Sequence, residues 1–390
     1  MKNTAGRRVR LMLCLVMISI MLSGCWNYQE PQSYSYISAL GLEYVDKEYI
    51  TYAQILDFSS IVRQEGASAS QPTPIYIGEG RGRTITEAMN QLYSTSQKQI
   101  LWGHITALVV SENVLRHGVE EALDLINRYR EVRYNTWVFG TKQPIEELFA
   151  STPLFNANAL VSILHEPANT YKQRSIIEPV YLYRFIQRYR EPGETSYLPS
   201  LTTNTNHWIS SEKDKLKKHK LLQVDGAYFI RSDGSLAGWI KNHDLFGIQW
   251  LNRHTARAPV TLYRDNDLLA VVVLTRPIYE VEASFHDHKV YFNIEVKLKG
   301  IVNELHENIS SAELEKATEE AIRSQIRRTF DEGMKIRADI FRLGEVVYRD
   351  HLSNWKNIRE TRDLVVEPDS LKQIKVKVNI RSSGKYKLRT

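Results

Sequence analysis

The sequence predicts an α+β protein of two or three domains, with mixed or antiparallel sheets each covered by helices on one face, behind a short removable N-terminal segment. Three observations predict it. Strand-like and helix-like stretches alternate from about Tyr36 to Asn204. From Gln223 onward, short apolar runs and period-two alternation dominate. Near the end, Leu314, Thr318, Ile322, Ile326, Phe330 and Met334 recur at i+4, the stripe of a long helix suited to the dry face of a sheet. A chain of 390 residues, 43% hydrophobic and 25% charged, is too polar for a multi-span membrane protein.

The N-terminus comes first. Lys2, Arg7, Arg8 and Arg10 precede a largely apolar run from Leu11 to Leu22, the charged and hydrophobic regions of a secretory signal. Twelve helical residues rise about 18 Å, short of a hydrocarbon core of roughly 30 Å. The run therefore targets the chain; an uncleaved anchor is the alternative. Leu22, Ser23, Gly24 and Cys25 then resemble the lipobox of bacterial lipoproteins. Residues 1–24 are expected to be removed by cleavage between Gly24 and Cys25, leaving Cys25 first, with diacylglycerol and acyl lipid on it. One acyl chain is a marginal anchor, whereas two or more hold stably. Trp26 and Tyr28 suit either the headgroup belt or an ordinary linker.

An N-terminal domain with a mixed sheet and helices is expected over residues 25–205. Tyr36 to Ile55 reads as strand material, and Gly66 to Pro74 as a flexible loop. Thr84 and Glu87 form a capping box ahead of Ile85, Met89 and Leu92. His104 to Ser111 is apolar enough for a buried strand, and Ser111 with Glu112 opens helical material carrying Val119, Leu123 and Ile126 on one face. Trp137 to Gly140 is a further strand, and Pro144 starts a short helix with Ile145, Leu148 and Phe149. A helix around Val180 to Tyr189 ends before Pro192 and Gly193, and Leu198 to Asn204 returns to extended chain.

Residues 206–222 are expected to be a charged connector. Their run from Ser210 to Lys220 mixes Lys with Glu212 and Asp214, a solvated loop or, less simply, a lipid-headgroup contact. A C-terminal domain, an antiparallel sheet with a long helix, is expected over residues 223–390. Gly226 to Arg231 and Leu236 to Ile240 flank Asp233-Gly234, a hairpin signal. Asp244 can cap a short helix through Trp250. Leu268 to Leu274 is a strand, and Tyr279 to Phe285 pairs across a turn at His286 to His288 with alternating Val290, Phe292, Ile294, Val296 and Leu298. Ser310 and Glu313 box the long helix, and the lysine-rich strand from Ile374 to Ile380 fits a guarded edge.

Charge and motifs exclude several chemistries. The formal charge of +6 falls to 47 basic against 45 acidic residues once the signal is removed, so no nucleic-acid footprint remains. Cys14 and Cys25 are the two cysteines, too few for a disulfide framework or a Cys-rich zinc site. Gly78, Gly80 and Gly82 fit neither phosphate-loop spacing, because Arg83 stands where glycine is needed; they read as permitting a strand-to-helix turn. His286, Asp287 and His288 read as a polar turn, and His104 as a satisfied, partly buried histidine. Glu120 and Glu121 lie on a solvated helix edge. No zincin, α/β-hydrolase or thiol-nucleophile signature occurs. No catalytic, cofactor-binding or metal residues are assigned.

These residues resemble the Ger(x)C lipoproteins, the C subunits of nutrient germinant receptors in spore-forming bacteria. Cys25, Trp26 and Asn27, with Glu30, are similar to the family's opening, although Asn27 and Pro31 depart from the commoner pattern. Gly82 to Leu92, Gln97 to Val119 and Asn127 to Phe139 resemble its N-terminal domain; Val224 to Ile240 and Arg337 to Trp355 resemble its C-terminal domain. The resemblance implies a non-enzymatic, lipid-anchored protein on the outer face of the cytoplasmic membrane, in the spore the inner membrane. It also implies association with two multi-span partners, the A and B subunits, in a complex responding to amino acids or sugars. A lipoprotein that binds the nutrient directly is the second reading, and an envelope hydrolase the third.

Overall fold

A computed structural model describes residues 34–56, 74–129, 131–212, 215–287, 289–359 and 365–381, with isolated positions 6–8, 12–15 and 17 near the N-terminus. Gly24, Cys25, Trp26, Tyr28, most of the Gly66–Pro74 loop and His288 lie outside the described residues. Mixed sheets and helices make the α+β architecture that the sequence predicts.

The first sheet is built around parallel strands. β1 (Tyr34–Val45) and β2 (Glu48–Leu56) form an antiparallel hairpin where the sequence reads as one extended stretch. The turn is Asp46-Lys47, both with positive φ, a pair without the usual Asn-Gly or Asp-Gly signature. β3 (Ile75–Gly82) pairs with β2, and α1 (Ile85–Tyr93) packs back across it. Short β4 (Gln99–Leu101) and β5 (Ala107–Ser111) lie parallel to β1, β6 (Trp137–Thr141) parallel to β5, and β8 (Ser196–Asn204) parallel to β6 at Gly140 and Ser200. Between them run α2 (Glu112–His117), α3 (Glu120–Arg128), α4 (Ile145–Phe149), α5 (Pro167–Gln173), the two-residue β7 (Val180–Tyr181) and α6 (Leu182–Arg190).

The caps follow from the residues. Thr84 accepts a hydrogen bond from Glu87 N, while the Glu87 carboxylate reaches back to Arg83 N rather than to Thr84 N. The glycines of β3 serve packing rather than a turn: a Cβ on Gly80 would lie 2.1 Å from Ala88 O, and one on Gly82 2.7 Å from Ala88 N. Only glycine lets α1 approach that strand so closely.

Residues 209–218 are not a bare loop. β9 (Ile209–Glu212) and β10 (Lys215–Lys218) pair as an antiparallel ribbon. β11 (Leu221–Ile230) and β12 (Leu236–Lys241) form the expected hairpin, with Gly234 at φ +83° in its turn. Its place differs from the sequence-based division at residue 223: β11 pairs antiparallel with β8, so the hairpin extends the first sheet. By sheet membership the first unit continues to Lys241.

The second sheet has the order β13 (Ala258–Arg264), β14 (Asp267–His286), β15 (Lys289–Leu305), β16 (Leu371–Arg381). The first three are antiparallel, but β16 runs parallel to β15, so the sheet is mixed rather than purely antiparallel. β14 slips register between Thr275 and Ile278, at Pro277, which has no N–H for the ladder. α7 (Ser311–Lys335) starts with the full Ser310–Glu313 capping box and buries Leu314, Ile322, Ile326 and Phe330 against Phe292, Ile294 and Val296. α8 (Leu343–Asp350) and α9 (Leu352–Arg359) add Leu343, Val347, Trp355 and Ile358 to that core. Asp244 caps no α-helix; the chain forms two 3₁₀ turns, Asn242–Leu245 and Ile248–Leu251, and Asp244 pairs with Arg328 of α7 at 2.6 Å.

Candidate functional site

Cys25 and Gly24, the assigned site residues, lie outside the described residues, so the built polar sites are found elsewhere. Three arrangements stand out. The first is a crevice of about 590 Å³ at the carboxyl ends of β1, β5 and β6. Helices α2 and α3 leave β5 to pack on one face of the sheet, through Val114, Leu115, Ala122 and Leu123. α4 leaves β6 to pack on the other, through Ile145, Leu148 and Phe149. Ligands of open parallel sheets settle where such connections diverge. Here, however, the lining groups engage one another. Glu43 accepts from Ser111 Oγ at 2.6 Å and Asn113 Nδ2 at 3.1 Å; Glu112 accepts from Arg116 and, at 3.2 Å, from Tyr228 Oη. Lys142 lies over the Trp239 ring, 3.8 Å from its centroid.

The second is a buried network on the α4 face. His165 Nε2 donates to Gln54 Oε1 at 3.0 Å, which leaves Nδ1 to accept from the Thr106 hydroxyl at 2.6 Å. Gln54 Nε2 in turn donates to Phe149 O at 2.8 Å, and Ser38 Oγ to Gln54 Oε1 at 2.8 Å. Burial holds the His165 pKa down at about 4, so the imidazole is neutral.

The third is the seam between the units. Gly193 takes φ +81°, and a Cβ there would lie 2.7 Å from Gly344 C and O; one on Gly344 would lie 2.6 Å from Gly193 O. The two backbones touch. Around them Asp339 N donates to Thr195 Oγ1 at 3.1 Å, Gly344 N donates to Asp339 Oδ2 at 2.7 Å, and Arg349 pairs with Glu191 at 3.1 Å. Glu194 is 7% exposed, with Arg342 3.5 Å away. Its pKa is pushed up to about 8, first by burial and then by the neighbouring Glu345 carboxyl, so it is protonated near neutrality. Burial likewise raises Asp339, to about 6, against backbone N–H groups that favour its charged form.

Other sequence-marked residues are placed plainly. His104 is exposed rather than partly buried, its ring edge-on to Tyr36 at 4.9 Å. Glu121 accepts from Tyr49 Oη at 2.6 Å, and Glu120 from Tyr189 Oη at 3.3 Å. His286 closes the β14–β15 hairpin, paired with Lys289. Among the described residues no three His, Cys, Asp or Glu side chains gather as a metal site, and no helix is long and apolar enough to cross a membrane. Sequence reading missed His165, Glu194 and Asp339. The Pro192-Gly193 turn flags its loop, but nothing local shows that it meets Gly344.

Fold and sites together define a two-unit α+β protein whose built polar groups gather at a sheet end, in a buried network on one sheet face and in an inter-unit seam. A family model described as the spore germination protein N-terminal domain matches residues 27–203, and one described as spore germination B3/GerAC-like, C-terminal, matches residues 225–384. The chain belongs to the Ger(x)C family of spore germination proteins, the family of germinant-receptor C subunits. Spore germination protein KC of Bacillus subtilis (strain 168) is 21% identical, over 97% of this chain and 96% of its own length. The putative spore germination protein YfkR of the same organism is 23% identical over 83% of this chain and 84% of its own. The crystal structure of the GerBC protein shares the fold, with TM-score 0.54 and 14% identity over 87% of this chain and 96% of that one.

Proposed function

We propose that this chain is the lipid-anchored, non-enzymatic C subunit of a germinant receptor, required for the response of spores to amino acids or sugars. Diacylglycerol and acyl lipid on Cys25 hold it to the outer face of the cytoplasmic membrane, in the spore the inner membrane. There it docks on the multi-span A and B subunits. The carrying observation is the match of both family halves in order, directly behind Leu22-Ser23-Gly24-Cys25. Tethering keeps the body in a thin layer beside its partners and raises effective concentration, so a modest interface suffices. Direct nutrient binding is the weaker reading: in the sheet-end crevice the Glu43 and Glu112 carboxylates already hold protein donors.

The test is genetic. Deleting the gene should give spores that ignore the nutrient yet respond to nutrient-independent triggers. The intact gene should restore the response, and a Cys25→Ala version should leave the membrane fraction and fail to restore it. A normal nutrient response in deletion spores lacking redundant receptors would refute the proposal.

A further inference from the structure

Granted the anchor at Cys25, we infer that the amino-terminal end of the first sheet is the surface that rests on the bilayer, with Tyr36, His104, Tyr134 and Tyr183 at headgroup level and Arg133 and Arg184 facing lipid phosphates.

The ladder places these residues on one rim. β1, β5 and β6 all begin at this end, being mutually parallel. Thr106 N donates to Ser38 O at 2.9 Å, Trp137 N to Thr106 O at 2.8 Å, and Leu182 N to Thr136 O at 2.8 Å, a continuous row across the sheet. Just outside that row the Tyr36 and His104 rings meet, and Tyr183 N donates to Tyr134 O at 3.0 Å. Tyr134 is 49% and Tyr183 43% exposed. The guanidinium of Arg184 lies 5.7 Å from the Tyr183 ring centroid, and Arg133 is exposed beside Tyr134. Tyrosine suits the membrane interface because its ring is apolar and its hydroxyl wet, and arginine beside it is drawn to anionic headgroups.

Chain length decides which end of the sheet faces the lipid. Tyr34 opens β1 nine positions after Cys25, and nine residues fully extended reach about 30 Å at most. β1 itself, twelve residues, is roughly 37 Å long. The tether is too short to bring the far end, at the Asp46-Lys47 turn, to the bilayer while the strand stands upright. The carboxyl-end crevice then points away from the lipid.

The experiment uses the full chain, made in a lipidating host and reconstituted into phosphatidylcholine–phosphatidylglycerol vesicles. Single cysteines replace Tyr134, Tyr183 or Lys47, each carrying a polarity-sensitive dye, with a headgroup-depth spin-labelled lipid as quencher. An acylated Cys25 is a thioether and takes no dye, and mass spectrometry of the first peptide reports its lipid. Dyes at 134 and 183 should be quenched and that at 47 should not. Arg133→Gln and Arg184→Gln should each reduce rim quenching, the ratio of docked to undocked rim falling by about fivefold at low salt. Acylated Cys25 with an unquenched rim, or with position 47 quenched as strongly, would overturn this orientation and leave the anchor standing. A dye-reactive, unacylated Cys25 would overturn the anchor, and the orientation with it.

Discussion

The two sheets solve burial differently. The first has parallel strands at its centre and apolar helices on both faces, so β5 is buried at every position from Ala107 to Ser111. The second is dry on one face: Val290, Phe292, Ile294, Val296 and Leu298 point into the core, while Glu295 meets Lys375 and Lys377 on the wet side at 3.6 and 3.3 Å. A one-sided sheet depends on the helices that cover it, here α7 with α8 and α9 beside it. A two-sided sheet has no wet face, so its polar groups lie at the strand ends, in the seam, or in a closed network such as that of Gln54 and His165.

The largest test of that difference is Phe330→Ala. Phe330 is 2% exposed in the α7 stripe, and truncation should cost about 3–5 kcal/mol. Hydrogen exchange should rise across β13–β16 far more than across β1–β8. Uniform loss of protection would show that the two cores unfold as one.

Acid and base should strain different places. Buried His165 has its pKa lowered to about 4, so its contribution is intact above its unfolded value near 6.5 and is lost as pH falls between the two, by up to about 3 kcal/mol. Glu194 works in the opposite sense. Its pKa is raised to about 8, so the folded state holds a proton that the unfolded state releases from about pH 4.5 upward, and the seam weakens as pH climbs to 8. Denaturant titrations across pH should show both limbs. Glu194→Gln should shrink the alkaline limb alone, leaving the part below about pH 6 that Asp339 contributes; if that limb is unchanged, Glu194 does not set it.

The smallest expected effect is Ser310→Ala. It removes the hydroxyl that accepts from Glu313 N at 3.3 Å and should cost about 1 kcal/mol, read as a lower denaturant midpoint at constant slope. A loss as large as that of Phe330→Ala would mean that α7 depends on its first turn rather than on its stripe.

The second sheet was the more legible in the sequence, for a physical reason. Alternation reports one buried face, and the i+4 stripe of α7 reports its cover. In the first sheet most elements were readable, the β1–β2 turn at Asp46-Lys47 excepted, but their neighbours were not. The Asp233-Gly234 signal says that β11 pairs with β12; it is silent on β8, which pairs with β11 from Leu221 to Ile230. The glycines of β3 were visible, yet their use needed the position of Ala88 on α1. His165, Glu194 and Asp339 gain their properties from burial by distant segments, and no local pattern encodes that.

One practical consequence follows from the pairing of β11 with β8. A C-terminal fragment starting at residue 225 would begin inside β11, leaving part of that strand behind and stripping β8 of its neighbour. Both pieces would carry raw, sticky backbone edges prone to clumping. Fragments intended to fold apart should be divided after Lys241, where the chain has left the first ladder and has not yet entered the next.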